Sequence, residues 1–205
     1  MFIAEGPKLV SDLLGVFRCH LLIATSDWFI ENPKIQAHEV IEVTNEELSK
    51  ASLLKHPQQV LAIFEQPEYD MDIDIVKKSL CLALDAVQDP GNLGTILRLA
   101  DWFGIEYIFC SFNTADIYNP KTIQATMGAI AHVKVYYVSL CELIGILGDC
   151  PVYGTFLNGE NIYDVPLSSV GLIVMGNEGN GISSVVAQLI NRRLYIPNFP
   201  ENRET

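Results

Sequence analysis

Residues 79–98 read SLCLALDAVQDPGNLGTILR, and this stretch decides the fold class. Its first part, SLCLALDAV, is a continuous apolar run, as expected of a strand buried on both faces of a parallel sheet. A Pro-Gly turn follows, and NLGTILRLADWFG over 92–104 has the apolar spacing of a helix. The stretch therefore predicts one strand–turn–helix unit of an α/β protein.

The same alternation continues downstream of this unit. Strand-like runs such as EYIFCS, KVYYV, VYGTFL and GLIVM alternate with helical runs, and RLYIP closes the series. Strands that alternate with helices predict a parallel sheet with helices on both faces. We assign residues 79–205 to one C-terminal α/β domain.

Upstream, residues 2–64 alternate in the same way and predict a smaller βαβα unit, in which Thr44 and Glu47 fit a capping box. Between the two parts, EQPEYDMDIDIVKK over 65–78 is acidic, contains a proline and has no strong period. We predict an N-terminal domain over 1–66 and a linker over 67–78. An ordinary surface loop is the alternative to the linker.

The charge balance restricts the partners that this chain can bind by its overall field. Its 205 residues contain 13 Lys and Arg against 25 Asp and Glu, a formal net charge of −12. Such a field opposes nonspecific binding to nucleic acid. A nucleic-acid partner would therefore require a local basic patch, a dimer, or residues beyond this sequence.

The apolar runs, the cysteines and the histidines predict a cytoplasmic protein with no metal site and no membrane-spanning segment. No apolar run approaches the length of a membrane span, and the N-terminus lacks the features of a secretory signal. The five cysteines are scattered, mostly in apolar runs, which predicts buried structural thiols in a reducing compartment. The four histidines form no pair at metal-ligand spacing, so no metal site is expected.

The opening stretch contains two polar residues that could serve either structure or chemistry. Asn92 occupies the position expected of a helix N-cap, and Arg98 follows it by almost two helical turns. In the structural interpretation, Asn92 caps the helix, Gly94 allows close helix–sheet packing, and Arg98 forms a surface ion pair. In the functional interpretation, Asn92 and Arg98 belong to a site at the edge of the sheet.

A second stretch, LIVMGNEGNGIS over 172–183, favours the functional interpretation. It is a buried strand that opens into a glycine-rich turn, and ligands of α/β proteins bind at such turns. The order G-x-x-G-x-G differs from the dinucleotide pattern, which weakens a nucleotide-dependent oxidoreductase as a candidate. Glu178 would repel a diphosphate. A ligand with a positive centre, such as S-adenosylmethionine, fits the turn better.

Together with the strand and loop RLYIPNF over 193–199, these stretches resemble the SpoU/TrmH family of RNA ribose 2′-O-methyltransferases. The resemblance is carried by DPGNLGTILR, VMGNEGNGIS and LYIP, and it covers most of residues 79–197. The opening FIAEGPKLVSDLL resembles the start of the family's N-terminal domain, which has a ribosomal-protein-like RNA-binding fold. The resemblance implies that the C-terminal parallel-sheet domain is tied in a deep trefoil knot.

The resemblance also implies a site for S-adenosylmethionine and its catalytic residues. Asn92, Arg98 and Glu178 match the catalytic cleft, where we expect Arg98 to position the substrate and stabilise charge rather than act as a base. For Glu178, capping of the following loop or pairing with a lysine is the alternative. The matching cofactor-binding residues are Thr155, Leu157, Gly159, Gly176, Asn177, Gly181 and Ile196.

The resemblance further implies an RNA partner, with ribosomal RNA ahead of transfer RNA, and a homodimer formed through the knot region. In the family the third motif continues past IP into a Ser/Thr-Glu-Ser-Leu-Asn-Val segment and a final helix, whereas this sequence ends at NFPENRET. We expect the full protein to carry that segment, and also a basic segment before residue 1. A catalytically inactive RNA-binding relative is the alternative.

Overall fold

The computed structural model describes residues 1–198, which divide into two compact units. The first comprises Met1–Tyr69, Asp89–Asp101 and Asp116–Val133. The second comprises Asp70–Gln88, Trp102–Ala115 and residues 134–198. The units are therefore not continuous in sequence, because two segments of the predicted C-terminal domain pack with the N-terminal residues.

The first unit contains a four-stranded mixed sheet with the strand order β1-β4-β2-β3. Strand β4 is antiparallel to β1 and β2, and β3 is parallel to β2. The predicted capping box is confirmed, since Glu47 N donates to the Thr44 hydroxyl and Thr44 N donates to the Glu47 carboxylate. The strands are β1 (Phe2–Glu5), β2 (Cys19–Ala24), β3 (Glu39–Glu42) and β4 (Val60–Phe64). The helices are α1 (Pro7–Leu13), α2 (Ser26–Glu31), α3 (Asn45–Ala51), α4 (Pro90–Trp102) and α5 (Pro120–Thr126). The last residue of α4, Trp102, belongs to the second unit.

Helix α5 connects α4 to the sheet of the first unit. On one side, a Cβ added at Gly94 of α4 would lie 2.8 Å from the carbonyl oxygen of Thr122, so only glycine allows this approach. On the other side, the Gln124 amide donates to Glu5 O of β1 at 3.3 Å. Tyr118, just before α5, stacks on Phe2 with ring centroids 5.2 Å apart. Gly94 therefore serves close helix–helix packing rather than the helix–sheet packing expected from the sequence.

The second unit contains a six-stranded sheet in which every pair of neighbours is parallel. The strand order is β10-β8-β9-β5-β6-β7. This arrangement confirms the predicted α/β class with a parallel sheet. The strands are β5 (Leu80–Leu84), β6 (Tyr107–Cys110), β7 (Lys134–Tyr137), β8 (Val152–Asn161), β9 (Gly171–Met175) and β10 (Arg192–Tyr195), and the helices are α6 (Leu140–Ile146) and α7 (Ser184–Ala187).

The second half of the segment predicted as a linker packs into the second unit. Residues Ile73–Lys77 form a short 3-10 helix. Val76 of this helix is fully buried in the same apolar core as Phe109 and Val174 of the sheet. The apolar residues of this part of the segment therefore contribute to the core of the second unit.

Three of the five cysteines are buried, as the sequence predicts, whereas Cys141 and Cys150 are half-buried. All five are free thiols, and Cys19, Cys81 and Cys110 are buried. Burial raises the pKa of Cys19 to about 11 and that of Cys110 to about 12. Their thiols are therefore protonated and chemically inert near neutral pH. Within residues 1–198, no helix combines the length and the apolar character needed to cross a bilayer.

Candidate functional site

Helix α4 begins earlier than the sequence predicts, and this changes the role of Asn92. The helix starts at Pro90, and the Asp89 carboxylate accepts a hydrogen bond from Asn92 N at 2.7 Å. Asp89 is thus the capping residue, and proline takes the first helical position, where its missing N–H does no harm. The prediction that Asn92 caps the helix is wrong. Its side chain is exposed in the first turn of α4.

Arg98 lies further along α4, on its exposed surface. Leu93, Gly94, Leu97 and Ala100 form the buried side of this helix. Among the described residues, Arg98 forms no ion pair, and the nearby carboxylate of Asp101 instead contacts His132 Nδ1 at 3.0 Å. The surface ion pair expected in the structural interpretation is therefore absent within residues 1–198. The guanidinium can offer its charge and its planar set of donors to a substrate.

The glycine-rich turn after β9 is organised by Asn177. Its side-chain oxygen accepts from Gly179 N at 2.9 Å and from Asn180 N at 3.0 Å. Its backbone exchanges two hydrogen bonds with Gly181. The Asn177 amide nitrogen donates to Ala86 O at 2.9 Å and so ties the turn to the segment after β5. These contacts give Asn177, predicted as a cofactor residue, a role in holding the turn.

Sequence reasoning missed three residues that support the same turn, namely Asp85, Ala86 and Ser111. Asp85, directly after β5, is buried, and its carboxylate accepts from Ser183 N at 2.8 Å. Ala86 follows with φ 60°, a left-handed conformation that costs free energy in a residue other than glycine. Ser111 holds this conformation, because its hydroxyl accepts from Ala86 N at 2.9 Å. An aspartate at the end of a buried apolar run was the signal available in the sequence.

Glu178 lies at the exposed tip of the turn. The Asn177 amide approaches its carboxylate at 3.3 Å. The Asn177 side chain caps the loop, because it accepts from Gly179 N and Asn180 N. Glu178 is thus an exposed residue at the carboxyl edge of the sheet.

Strand β8 contains a bulge that carries three of the predicted cofactor residues, Thr155, Leu157 and Gly159. Its pairing with β10 jumps from Arg193↔Gly154 to Leu194↔Glu160, so residues 155–159 leave the ladder. The Arg193 guanidinium lies 3.7 Å from the centre of the Phe156 ring and donates to the Asn158 side chain at 3.4 Å. The bulge is therefore held by a cation–π contact and one hydrogen bond.

The described cofactor candidates converge on one edge of the sheet. Because β10, β8 and β9 are adjacent and parallel, their carboxyl ends lie side by side. The bulge of β8 carries Thr155, Leu157 and Gly159, the turn after β9 carries Gly176, Asn177 and Gly181, and Ile196 follows β10. Asn92 and Arg98 belong to the first compact unit, whereas Glu178 belongs to the second.

This edge has the chemical character that a nucleoside requires. Leu157 in β8 is 95% exposed, and Met175 at the end of β9 and Ile196 just after β10 are also exposed, so this edge presents three exposed apolar side chains. Gly176 packs against the backbone of Gly181 and Ile182, which closes the turn on its own main chain. Apolar side chains flanked by main-chain polar groups suit an adenine and its ribose. The residues present therefore fit S-adenosylmethionine. Within residues 1–198, no group of three or more metal-ligating side chains comes together.

Comparisons with known proteins agree with this arrangement. The model of the SpoU rRNA Methylase family matches residues 79–203, and that of the MRM3-like substrate binding domain matches residues 1–62. The 23S rRNA (guanosine(2553)-2′-O)-methyltransferase RlmP of Bacillus subtilis is 29% identical over 204 residues, which cover 97% of this chain and 80% of that protein.

Solved structures show the same likeness. A putative RNA methyltransferase of the TrmH family from Porphyromonas gingivalis is 37% identical with a TM-score of 0.88, covering 100% of this chain and 83% of that one. The AdoMet-bound rRNA methyltransferase from Sinorhizobium meliloti is 27% identical with a TM-score of 0.80, covering 100% of this chain and 81% of that one. Since the family model spans more than half of the sequence, this chain belongs to the SpoU rRNA Methylase family.

Proposed function

We propose that this chain transfers a methyl group from S-adenosylmethionine to a ribose 2′-hydroxyl of ribosomal RNA. The observation that carries the proposal is the convergence of the β8 bulge, the turn after β9 and the end of β10 at one edge of the parallel sheet. These segments offer apolar side chains and main chain to a nucleoside. The family to which the chain belongs and its AdoMet-bound relative support the same cofactor.

The cofactor would be held mainly by the second unit. The turn 176–181 would contact it through main-chain groups, with Asn177 keeping the turn in shape. Leu157 and Ile196 would cover its apolar surface. When bound, S-adenosylmethionine supplies an electrophilic methyl carbon on a sulfonium whose sulfur departs as a neutral thioether. The Glu178 carboxylate, at the tip of the turn, provides a negative charge that suits a positive centre.

Arg98 would act on the substrate oxygen. A ribose hydroxyl is a weak nucleophile, so the site must orient it and stabilise the charge that develops as its proton leaves. The guanidinium stays protonated throughout the working pH range and offers several donors in one plane. Arg98 therefore positions the 2′-oxygen or the adjacent phosphate and lowers the energy of the developing alkoxide. The proton of the hydroxyl passes to solvent water, so Arg98 does not need to accept it.

The finer features expected of the family belong to the same proposal. We infer that the C-terminal domain is tied in a deep trefoil knot, and that two copies associate through the knot region so that Arg98 works near the partner's cofactor. Residues 1–66 would bind RNA with a ribosomal-protein-like fold, and the protein would act in the cytoplasm. The match of residues 1–62 to a substrate binding domain supports the role of the N-terminal region.

The charge distribution restricts where RNA can approach the first unit. Strand β3 and helix α3 carry the exposed glutamates Glu39, Glu42, Glu46 and Glu47. Phosphates would be repelled from that side of the mixed sheet. The proposed RNA surface of the first unit therefore excludes the β3–α3 side.

Transfer of a labelled methyl group tests the proposed function. Ribosomal RNA from cells that lack the gene is incubated with the full protein and labelled S-adenosylmethionine, and ribose methylation is mapped by nucleotide. One nucleotide should become methylated, and the same nucleotide should be unmethylated in the gene-deletion strain alone. Methylation of transfer RNA instead would show that the substrate is transfer RNA rather than ribosomal RNA. Binding of S-adenosylmethionine without any methyl transfer would favour the alternative that the protein is a catalytically inactive RNA-binding relative.

A further inference from the structure

Two exposed aromatic rings flank the central strands at the carboxyl edge of the parallel sheet. Phe112 follows β6 and is 71% exposed, and Tyr163 follows β8 and is 79% exposed. In the strand order, β9 and β5 separate β8 from β6. Neighbouring strands are about 4.8 Å apart, so β8 and β6 are separated by about 14 Å. Between them lie the strand ends that carry Asp85 and Asn177.

The loop that carries Phe112 is fixed to the end of β5. Ser111 N donates to Leu84 O at 2.9 Å, and the Thr114 hydroxyl donates to the same oxygen at 3.1 Å. Ala115 N donates to Val87 O at 2.8 Å. The residues on both sides of Phe112 are thus hydrogen-bonded to the segment that also carries Asp85, while the ring itself remains in solvent.

The loop that carries Tyr163 is fixed in a similar way. Its own N–H donates to the Asn161 side chain at 3.2 Å, and Asp164 N donates to Asn161 O at 3.0 Å. Ile162 N donates to Tyr195 O of β10 at 2.9 Å. Tyr163 therefore also presents an exposed ring from a backbone with a defined conformation.

A single exposed apolar side chain is common and needs no explanation. Two aromatic rings on fixed loops, at the same carboxyl edge of the sheet as the candidate site for an RNA-modifying reaction, form a pattern that RNA recognition uses. Bases of single-stranded RNA stack on aromatic side chains, and this stacking works with every base. We propose that Phe112 and Tyr163 are stacking platforms for RNA bases on the two sides of the target nucleotide. The inference rests on the proposed function, because it takes RNA to be the substrate.

Stacking also accounts for RNA binding by an acidic chain. With a net charge of −12, the protein gains little from long-range attraction to phosphates. Aromatic stacking requires no positive field and contributes over a short range. A protein that depends on Phe112 and Tyr163 should accordingly bind RNA with a weaker dependence on salt than a basic RNA-binding protein.

The test compares Phe112→Leu and Tyr163→Leu with Phe103→Leu as the matched control. Phe103 is 73% exposed in the same unit, but it follows α4 and precedes β6, at the opposite edge of the sheet. Filter binding to ribosomal RNA from cells lacking the gene should show affinity about fivefold or more weaker for the first two variants and unchanged for the control. Affinity for S-adenosylmethionine should be unchanged in all three. Phe112→Trp should retain RNA affinity, and its added fluorescence should be quenched when RNA binds.

Two results would overturn the inference while leaving the proposed function in place. One is RNA affinity of Phe112→Leu and Tyr163→Leu equal to that of the wild type. The other is a change in sedimentation of the free Phe112→Leu protein, since the ring would then serve a contact between copies. Failure of the wild type to methylate any ribosomal RNA would instead contradict the proposed function itself.

Discussion

The Asp85 carboxylate accepts a hydrogen bond from Ser183 N at 2.8 Å, joining the end of β5 to the residue just before α7. The carboxylate is buried, and the two residues are 98 positions apart in sequence. Hydrogen bonds that involve a charged group are stronger than neutral ones. This contact therefore fixes where the turn 176–183 ends, and with Asn177 it sets the shape of the candidate donor site.

Replacement of Asp85 should loosen this turn. Asp85→Ala leaves Ser183 N without its acceptor and should lower the free energy of unfolding by about 1–3 kcal/mol. Affinity for S-adenosylmethionine should fall as well, because the turn loses its anchor. Denaturant unfolding and calorimetric titration measure the two effects. Asp85→Asn keeps an acceptor oxygen and should lose less stability and less affinity than Asp85→Ala. Unchanged stability and affinity in Asp85→Ala would show that the contact does not matter.

Removal of the Arg98 side chain should act on catalysis rather than on the cofactor. We expect Arg98→Ala to reduce turnover by about 100-fold or more, since it removes the donors placed at the developing charge. The dissociation constant for S-adenosylmethionine should remain within about twofold of the wild-type value. A loss of cofactor affinity as large as the loss of turnover would instead indicate a structural role for Arg98. Single-turnover kinetics and calorimetry separate the two quantities. Lys121→Ala is the matched control, because Lys121 is an exposed basic residue of the same unit that lies outside residues 1–66; a loss of turnover there would weaken the assignment.

The contact between Arg193 and Phe156 should be coupled to donor binding. Arg193→Gln and Phe156→Leu each remove the cation–π contact. The double variant should therefore be only slightly less stable than either single variant. A double-mutant cycle should give a coupling of about 0.5–1 kcal/mol in stability. Affinity for S-adenosylmethionine should fall in both single variants because the β8 bulge loses its support. Arg192→Gln is the control, since that guanidinium donates only to Asn191 O among the described contacts; equal effects at both arginines would contradict the prediction.

Alkaline pH should destabilise the fold through the buried thiols. Burial raises the pKa of Cys19 to about 11 and that of Cys110 to about 12, whereas the ordinary value is 9.0. Between these values the unfolded chain loses thiol protons that the folded chain keeps, so the free energy of unfolding falls as pH rises. Each thiol contributes a slope of up to about 1.4 kcal/mol per pH unit in that window. Urea unfolding between pH 8 and 11 should show that the free energy of unfolding falls less steeply with pH in Cys110→Ala than in the wild type. Identical slopes in the two proteins would refute the prediction.

Features set by neighbouring residues were predictable from the sequence. The capping box of Thr44 and Glu47 depends on four consecutive residues and is confirmed. The parallel α/β sheet followed from continuous apolar runs, and the family followed from three local motifs. Asn92 was misassigned because the Asp89-Pro90 pair, an N-cap residue followed by the preferred first helical residue, carried the stronger signal.

Features that join distant segments were not predictable in this way. The contact of Asp85 with Ser183 and the jump in register between β8 and β10 depend on strands that meet only in the folded chain. The same holds for α4, whose membership of the first unit follows from its packing on α5. A single sequence contains the residues of such contacts but not their pairing, because many partners satisfy the same local pattern.

Helix α5 also determines how this protein could be recombined with its relatives. Since α5 touches β1 through Gln124 and α4 through Thr122, a chimera that exchanges only residues 1–66 would place a foreign β1 against a native α5. Tyr118, which stacks on Phe2, would face the same mismatch. A working graft must therefore carry the segment around α5 together with the N-terminal residues, as one inherited block.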